Sequence, residues 1–232
     1  INENILTFTP ASPMNIFYNC KKHVGMSGDI EISNPTVNTI NYSVTYDGNK
    51  YSFDDGTNTS TGNLEFIIGN TYIFDLSSVG ILNVNSDGHP FYISTSQNDS
   101  STNIHNNSNE IEINRNRNIL TFTPKTQRTL FYNCEIHGYM ARSITIRNQT
   151  GNTINYSVTG EGERYYFNDG TNRLTDDLQL IVGNIYVFDL GNVGILDTEG
   201  HPFYISTSAN DSLSHIHDSN EINIDENLSL IH

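Results

Sequence analysis

The sequence predicts an all-β protein built as two sandwich domains, and three observations carry that expectation. Aromatic and β-branched residues come in short runs, turn residues punctuate them, and the whole pattern recurs once along the chain. Leu64-Glu65-Phe66-Ile67-Ile68, Thr71-Tyr72-Ile73-Phe74 and Phe91-Tyr92-Ile93-Ser94 read as strands. Gly69-Asn70 and Gly183-Asn184 read as the turns between such runs. Glu110-Ile111-Glu112-Ile113-Asn114 and Ser143-Ile144-Thr145-Ile146 alternate, as strands with one buried face do. No stretch sustains a helical period with caps. Short strands with these turn signals are expected to form antiparallel sandwiches.

The repeat sets the domain size. Ile5-Leu6-Thr7-Phe8-Thr9-Pro10 matches Ile119-Leu120-Thr121-Phe122-Thr123-Pro124, and Thr39-Ile40-Asn41-Tyr42-Ser43-Val44-Thr45 matches Thr153-Ile154-Asn155-Tyr156-Ser157-Val158-Thr159. The offset is about 114 residues, a size for whole domains and far above a solenoid repeat. Its phase is unusual. Residues 36–148 hold every part of the pattern in one stretch, whereas residues 1–34 hold only its end and 150–232 only its beginning. The expectation is one continuous domain at 36–148 and one split domain, 1–34 plus 150–232, either circularly permuted or completed by strand exchange. Closure could occur within one chain or head-to-tail between chains. Starting on Ile1 without an initiator Met or a signal-like segment, the sequence reads as a mature product or a fragment.

Composition removes several function classes. The formal charge is -15 with only 11 Lys plus Arg, which argues against nucleic-acid binding, because that requires a basic surface. No apolar run is long enough for a transmembrane helix. Two Cys at equivalent repeat positions make no disulfide framework. Asn-x-Ser/Thr triplets begin at Asn41, Asn58, Asn98, Asn106, Asn148, Asn155, Asn210 and Asn227. They permit a glycosylated surface, though so Asn-rich a chain produces such triplets by chance.

The chemistry is concentrated in one short run that occurs twice. Phe17-Tyr18-Asn19-Cys20-x-x-His23-x-x-Met26 is repeated as Phe131-Tyr132-Asn133-Cys134-x-x-His137-x-x-Met140. The two runs contain both Cys of the chain and two of its 3 Met. A distant histidine belongs to each, in Gly88-His89-Pro90-Phe91-Tyr92-Ile93 and Gly200-His201-Pro202-Phe203-Tyr204-Ile205. Thiolate, imidazole and thioether together suit a soft metal ion, copper above all. A blue-copper site takes two imidazoles and a thiolate in a plane with a weak axial thioether. The candidate ligands are His89, Cys134, His137 and Met140 for the continuous domain, and His201, Cys20, His23 and Met26 for the split one. Taken singly, each residue has a plain structural role, a buried thiol, a rim imidazole or a core thioether. The spacing, repeated, favours the metal.

These residues resemble the cupredoxin, or blue copper, family. The Cys-x-x-His-x-x-Met spacing is similar to the short ligand loop of amicyanin, and the likeness covers both repeats. The resemblance implies two Greek-key cupredoxin-like β-sandwich domains, a mononuclear copper at one end of each, and one-electron transfer or copper binding. No substrate pocket is evident in the sequence, so no enzyme activity is expected. It also implies a redox partner protein and a place outside the reducing cytosol: extracellular, periplasmic or on a particle surface. The loop interiors depart from one another, Lys21-Lys22 and Val24-Gly25 against Glu135-Ile136 and Gly138-Tyr139. Val24 and Tyr139 are expected to offer a partner little apolar surface. The rival reading is a structural repeat module of an extracellular layer, filament or virus particle, self-associating head-to-tail, with a vestigial or purely stabilising metal site.

Other candidates are weaker. His105, His215 and His217 sit in acidic-polar loops and read as solvated residues. Asp54-Asp55-Gly56 and Asp176-Asp177 lack a calcium-loop spacing and read as turns. No Gly-rich phosphate loop and no Ser-His-Asp arrangement is present.

Overall fold

The computed structural model describes residues 4–82, 88–98, 103–106, 108–175, 177–194, 200–209, 216 and 220–226. Among them the regular elements are strands, apart from a single 3-10 turn at Gly138–Met140. It divides into two compact units, one spanning Thr36–Gln149 and the other combining Ile1–Pro35 with Thr150–His232.

In the continuous unit, a six-stranded sheet runs Ile111–Asn114, Ile119–Phe122, Thr71–Asp75, Thr39–Asp47, Lys50–Asp54, Thr59–Ser60. A four-stranded sheet runs Leu64–Ile67, Arg142–Arg147, Arg128–Cys134, Phe91–Ser94. Alternation explains which face of each strand is buried. Tyr51 and Phe53, Tyr72 and Phe74, and Leu120 and Phe122 point inward from one sheet, and Leu130, Tyr132 and Ile144 from the other. Each buried aromatic or aliphatic side chain stabilises the fold by about 1.5–3 kcal/mol. The rings add edge-to-face contacts, such as Phe53 on Tyr132 at 5.0 Å between centroids.

The discontinuous unit has the same two sheets in the same strand order, with the N-terminal segment supplying three of the strands. Asn4–Phe8 lies between Ile185–Asp189 and Ile222–Glu226. Met14–Cys20 lies between Phe203–Ser206 and Ser27–Ser33. The two ends of the chain therefore share one core, in which Leu6, Phe8, Ile16 and Ile30 pack with Phe167, Leu180, Phe188 and Phe203.

The expectation of purely antiparallel sheets is corrected by four pairings. Thr39–Asp47 runs parallel to Thr71–Asp75, and Leu64–Ile67 runs parallel to Arg142–Arg147. Thr153–Glu161 and Leu178–Ile181 pair in the same way with Ile185–Asp189 and Ser27–Ser33. The cause is a change of sheet. After the hairpin of Thr39–Asp47 with Lys50–Asp54, the chain crosses to the four-stranded sheet at Leu64–Ile67 and returns at Thr71. The returning strand meets the free side of Thr39–Asp47 in the same direction. The sharp return is made at Gly69, whose φ of 86° suits glycine, and Asn70 Oδ1 accepts the main-chain N–H of Asn38 at 2.9 Å.

Two further sequence readings are resolved locally. Asp54 and Asp55 carboxylates accept N–H groups of Gly56, Thr57 and Asn58 at 2.7–2.8 Å, which is turn chemistry. His105 is a half-buried partner of Glu110, at 2.8 Å. Asp176, His215 and His217 lie outside the described residues. No helix among the described residues is long and apolar enough to cross a membrane.

Candidate metal centres

The ladder of the four-stranded sheet brings the ligand residues of the continuous unit together. Cys134 ends its strand directly opposite Phe91, and His89 stands two residues before Phe91. A main-chain bond from Glu135 N–H to Pro90 carbonyl (3.0 Å) joins the two segments just beyond the ladder. His89 N–H donates to Val79 carbonyl at 3.1 Å and fixes the incoming loop. After Cys134 the chain turns tightly, with Met140 N–H donating to His137 carbonyl at 3.1 Å. The turn folds the His137 imidazole back over the thiol.

The donor atoms form a small triangle. Cys134 Sγ lies 3.8 Å from His89 Nδ1 and 3.8 Å from His137 Nδ1, and the two Nδ1 atoms are 3.1 Å apart. A point equidistant from all three lies about 2.1 Å from each. That compares with zinc–nitrogen bonds of about 2.0–2.1 Å and zinc–sulfur bonds of about 2.3 Å, the scale of a first-row metal site. The set therefore fits a metal ion in the plane of two imidazoles and a thiolate. Burial, and then the neighbouring His137, holds the His89 imidazole below its ordinary pKa, which favours the neutral ring that a metal requires.

The discontinuous unit builds its counterpart from both ends of the chain. Cys20 is opposite Phe203 in the ladder, and Lys21 N–H donates to Pro202 carbonyl at 3.0 Å. Cys20 Sγ is 3.4 Å from His23 Nδ1, and Cys20, His23 and His201 place their donor atoms within 4.8 Å of one another. His201 Nδ1 is buried with no hydrogen-bond partner. A buried, unpaired imidazole nitrogen beside a thiol and a second imidazole is costly unless something fills the gap. A metal ion bound by all three would fill it.

Met26 and Met140 are buried in their respective cores, and Met26 N–H donates to His23 carbonyl at 3.1 Å, as Met140 does to His137. Cys20 and Cys134 are both buried free thiols.

Two groups of residues around the centres went unrecognised in the sequence. Asn133 is fully buried behind its neighbour Cys134, donating from its amide to Ser94 Oγ at 2.9 Å and accepting Asn98 N–H at 2.9 Å. Asn19 donates in the same way to Ser206 Oγ at 2.8 Å. Both hold the Cys-bearing strand to the His-bearing one, and their recurrence in the repeat was the available signal. Tyr46 packs its ring on His89 at 3.9 Å between centroids. Its counterpart is Gly160, where an added Cβ would come within 3.0–3.4 Å of the His201 ring, so that imidazole rests against bare backbone. This difference between the copies left no common motif to find.

The expectation of little apolar surface around the loops is corrected. Val24 is 89% exposed in one loop, Ile136 is 56% and Tyr139 55% exposed in the other, and Tyr46 is 47% exposed. These rank among the exposed large hydrophobic side chains of the described chain, and Tyr139 lies beside His137 at 5.4 Å between ring centroids.

No family model matches the chain, and no curated protein matches it. Among solved structures, the chain is similar to auracyanin B at 14% identity, with a TM-score of 0.28, over 50% of this chain and 93% of that one. The geometry of the two Cys-His-His clusters stands independently of that likeness.

Proposed function

We propose that this chain is a copper-binding protein with two mononuclear centres, serving one-electron transfer. The observation that carries the reading is the triangle of Cys134 Sγ, His89 Nδ1 and His137 Nδ1, whose size suits a metal ion bonded to all three. Its counterpart is the Cys20, His23 and His201 cluster with its unpaired buried nitrogen.

Within this reading, Cys134, His89 and His137, and Cys20, His23 and His201, would hold the two ions, with Met140 and Met26 as the thioether donors. Copper held there would supply a one-electron couple. The rest is done by the protein: two strands of the four-stranded sheet and one tight turn hold the donors in place, so oxidation and reduction require little rearrangement. The exposed Ile136 and Tyr139 next to His137 offer a partner protein an apolar contact on the edge of the centre. Such thiolate chemistry fits a location outside the reducing cytosol, extracellular or periplasmic.

The test is direct. Adding copper(II) to the metal-free protein should produce an intense visible sulfur-to-copper band, and Cys134→Ser should remove about half of it. A protein that stays colourless and retains no copper through dialysis would refute the reading.

A further inference from the structure

Each centre has a buried tyrosine whose hydroxyl holds the main chain of a candidate ligand. Tyr51 comes from the six-stranded sheet, facing the sheet that carries Cys134. It is fully buried, and its hydroxyl donates to the carbonyl of His89 at 2.7 Å. Tyr165 repeats this in the other unit, buried and donating to the carbonyl of His201 at 2.8 Å.

We propose that the hydroxyls of Tyr51 and Tyr165 are positioning groups for the two metal centres, each tying the backbone of the distant histidine ligand by a hydrogen bond to its carbonyl. This rests on the copper reading above. It goes further by assigning a role to residues outside the coordinating set.

The packing argument singles out the hydroxyl. A phenylalanine ring would fill the same space against Phe53, Phe91 and Tyr132, as neighbouring core positions do. Burying a phenol in an apolar core is favourable only when its O–H is satisfied. Here it is satisfied by the main chain of a histidine that precedes a proline, where the following residue has no N–H to help fix the loop. Groups that fix the orientation of a ligand tune the affinity and the reduction potential of the site.

The test uses Tyr51→Phe in a Cys20→Ser background, which isolates the Cys134 centre. Tyr165→Phe in a Cys134→Ser background isolates the Cys20 centre and serves as the second variant should one substitution impair folding. Copper(II) alone is the probe. The readouts are the energy of the sulfur-to-copper band, the reduction potential and the copper affinity. The expected result is a folded, copper-binding variant with an affinity reduced by about tenfold and a shifted band and potential. If the parent binds copper with its band and the Phe variants leave band, potential and affinity unchanged, the hydroxyl only packs and the proposal is overturned while the copper reading stands. A parent with no sulfur-to-copper band overturns both.

Discussion

His89 Nδ1 and His137 Nδ1 face each other at 3.1 Å although the two residues are separated by 48 positions in the chain. With one ring as its Nδ1–H tautomer, that nitrogen donates to the lone pair of the other, and the Cys134 thiol stands 3.8 Å from both. The ladder pairing of Phe91 with Cys134 and the tight turn after Cys134 enforce it. The arrangement makes sense as a preformed set of donors.

A preformed set should stabilise the fold when it is filled. Binding to the folded state alone adds about 4 kcal/mol when free ligand is 1,000 times the dissociation constant. Copper(II) should therefore raise the melting temperature of the chain by several degrees, and His89→Ala should remove the gain for the continuous unit. Calorimetric scans with and without metal check this. An unchanged melting temperature with bound copper would mean that the unfolded chain binds it as well.

The discontinuous unit should close within one chain. Asn4–Phe8 is bonded on both sides, and Met14–Cys20 carries Cys20 toward His201. Sedimentation is expected to give a monomer that binds two copper ions at micromolar concentrations. Deleting residues 1–34 should leave open sheet edges and half a core, and the shortened chain should aggregate. A soluble, cooperatively folding shortened chain would count against this closure.

The two centres should be inequivalent. Tyr46 covers His89, while bare Gly160 lies against His201. Gly160→Ala places a methyl group within 3.0–3.4 Å of the His201 ring, so the ring must shift. Spectra of the Cys20 centre should change on that substitution and those of the Cys134 centre should not. Equal changes at both centres would contradict the assignment.

Glu110 should make the continuous unit sensitive to acid. Its side chain is 5% exposed. Burial pushes its pKa up, but the Lys125 N–H bond at 2.7 Å, then His105 and Arg128, outweigh that and hold it below the ordinary carboxylate range. A depressed carboxylate contributes stability that is present above its unfolded pKa and is lost as pH falls through the folded one. Stability should thus fall below about pH 4. Glu110→Gln should cost about 1.5–3 kcal/mol at pH 7 and flatten that acid limb. Urea titrations at several pH values measure both.

How much of this was legible in the sequence depended on whether a feature recurred. Cys, His and Met are scarce enough here that Cys20, His23 and Met26 stood out against Cys134, His137 and Met140. Strand runs such as Phe91-Tyr92-Ile93-Ser94 were readable from their aromatic and β-branched content. Parallel pairing was not, because direction depends on which sheet Leu64–Ile67 joins, and nothing local specifies that. Tyr51 and Tyr165 repeat faithfully, yet a buried tyrosine looks like core until its hydroxyl is seen on a histidine carbonyl. Exposure of Ile136 and Tyr139 follows from the shape of one tight turn, which composition does not reveal.

The most direct test of two copper centres is a crystal structure of the copper-loaded protein, with anomalous diffraction recorded at the copper edge. The expected result is two peaks per chain, one bonded to Cys134, His89 and His137 and one to Cys20, His23 and His201. Copper found only at other surface groups, with both clusters free of it, would contradict the account.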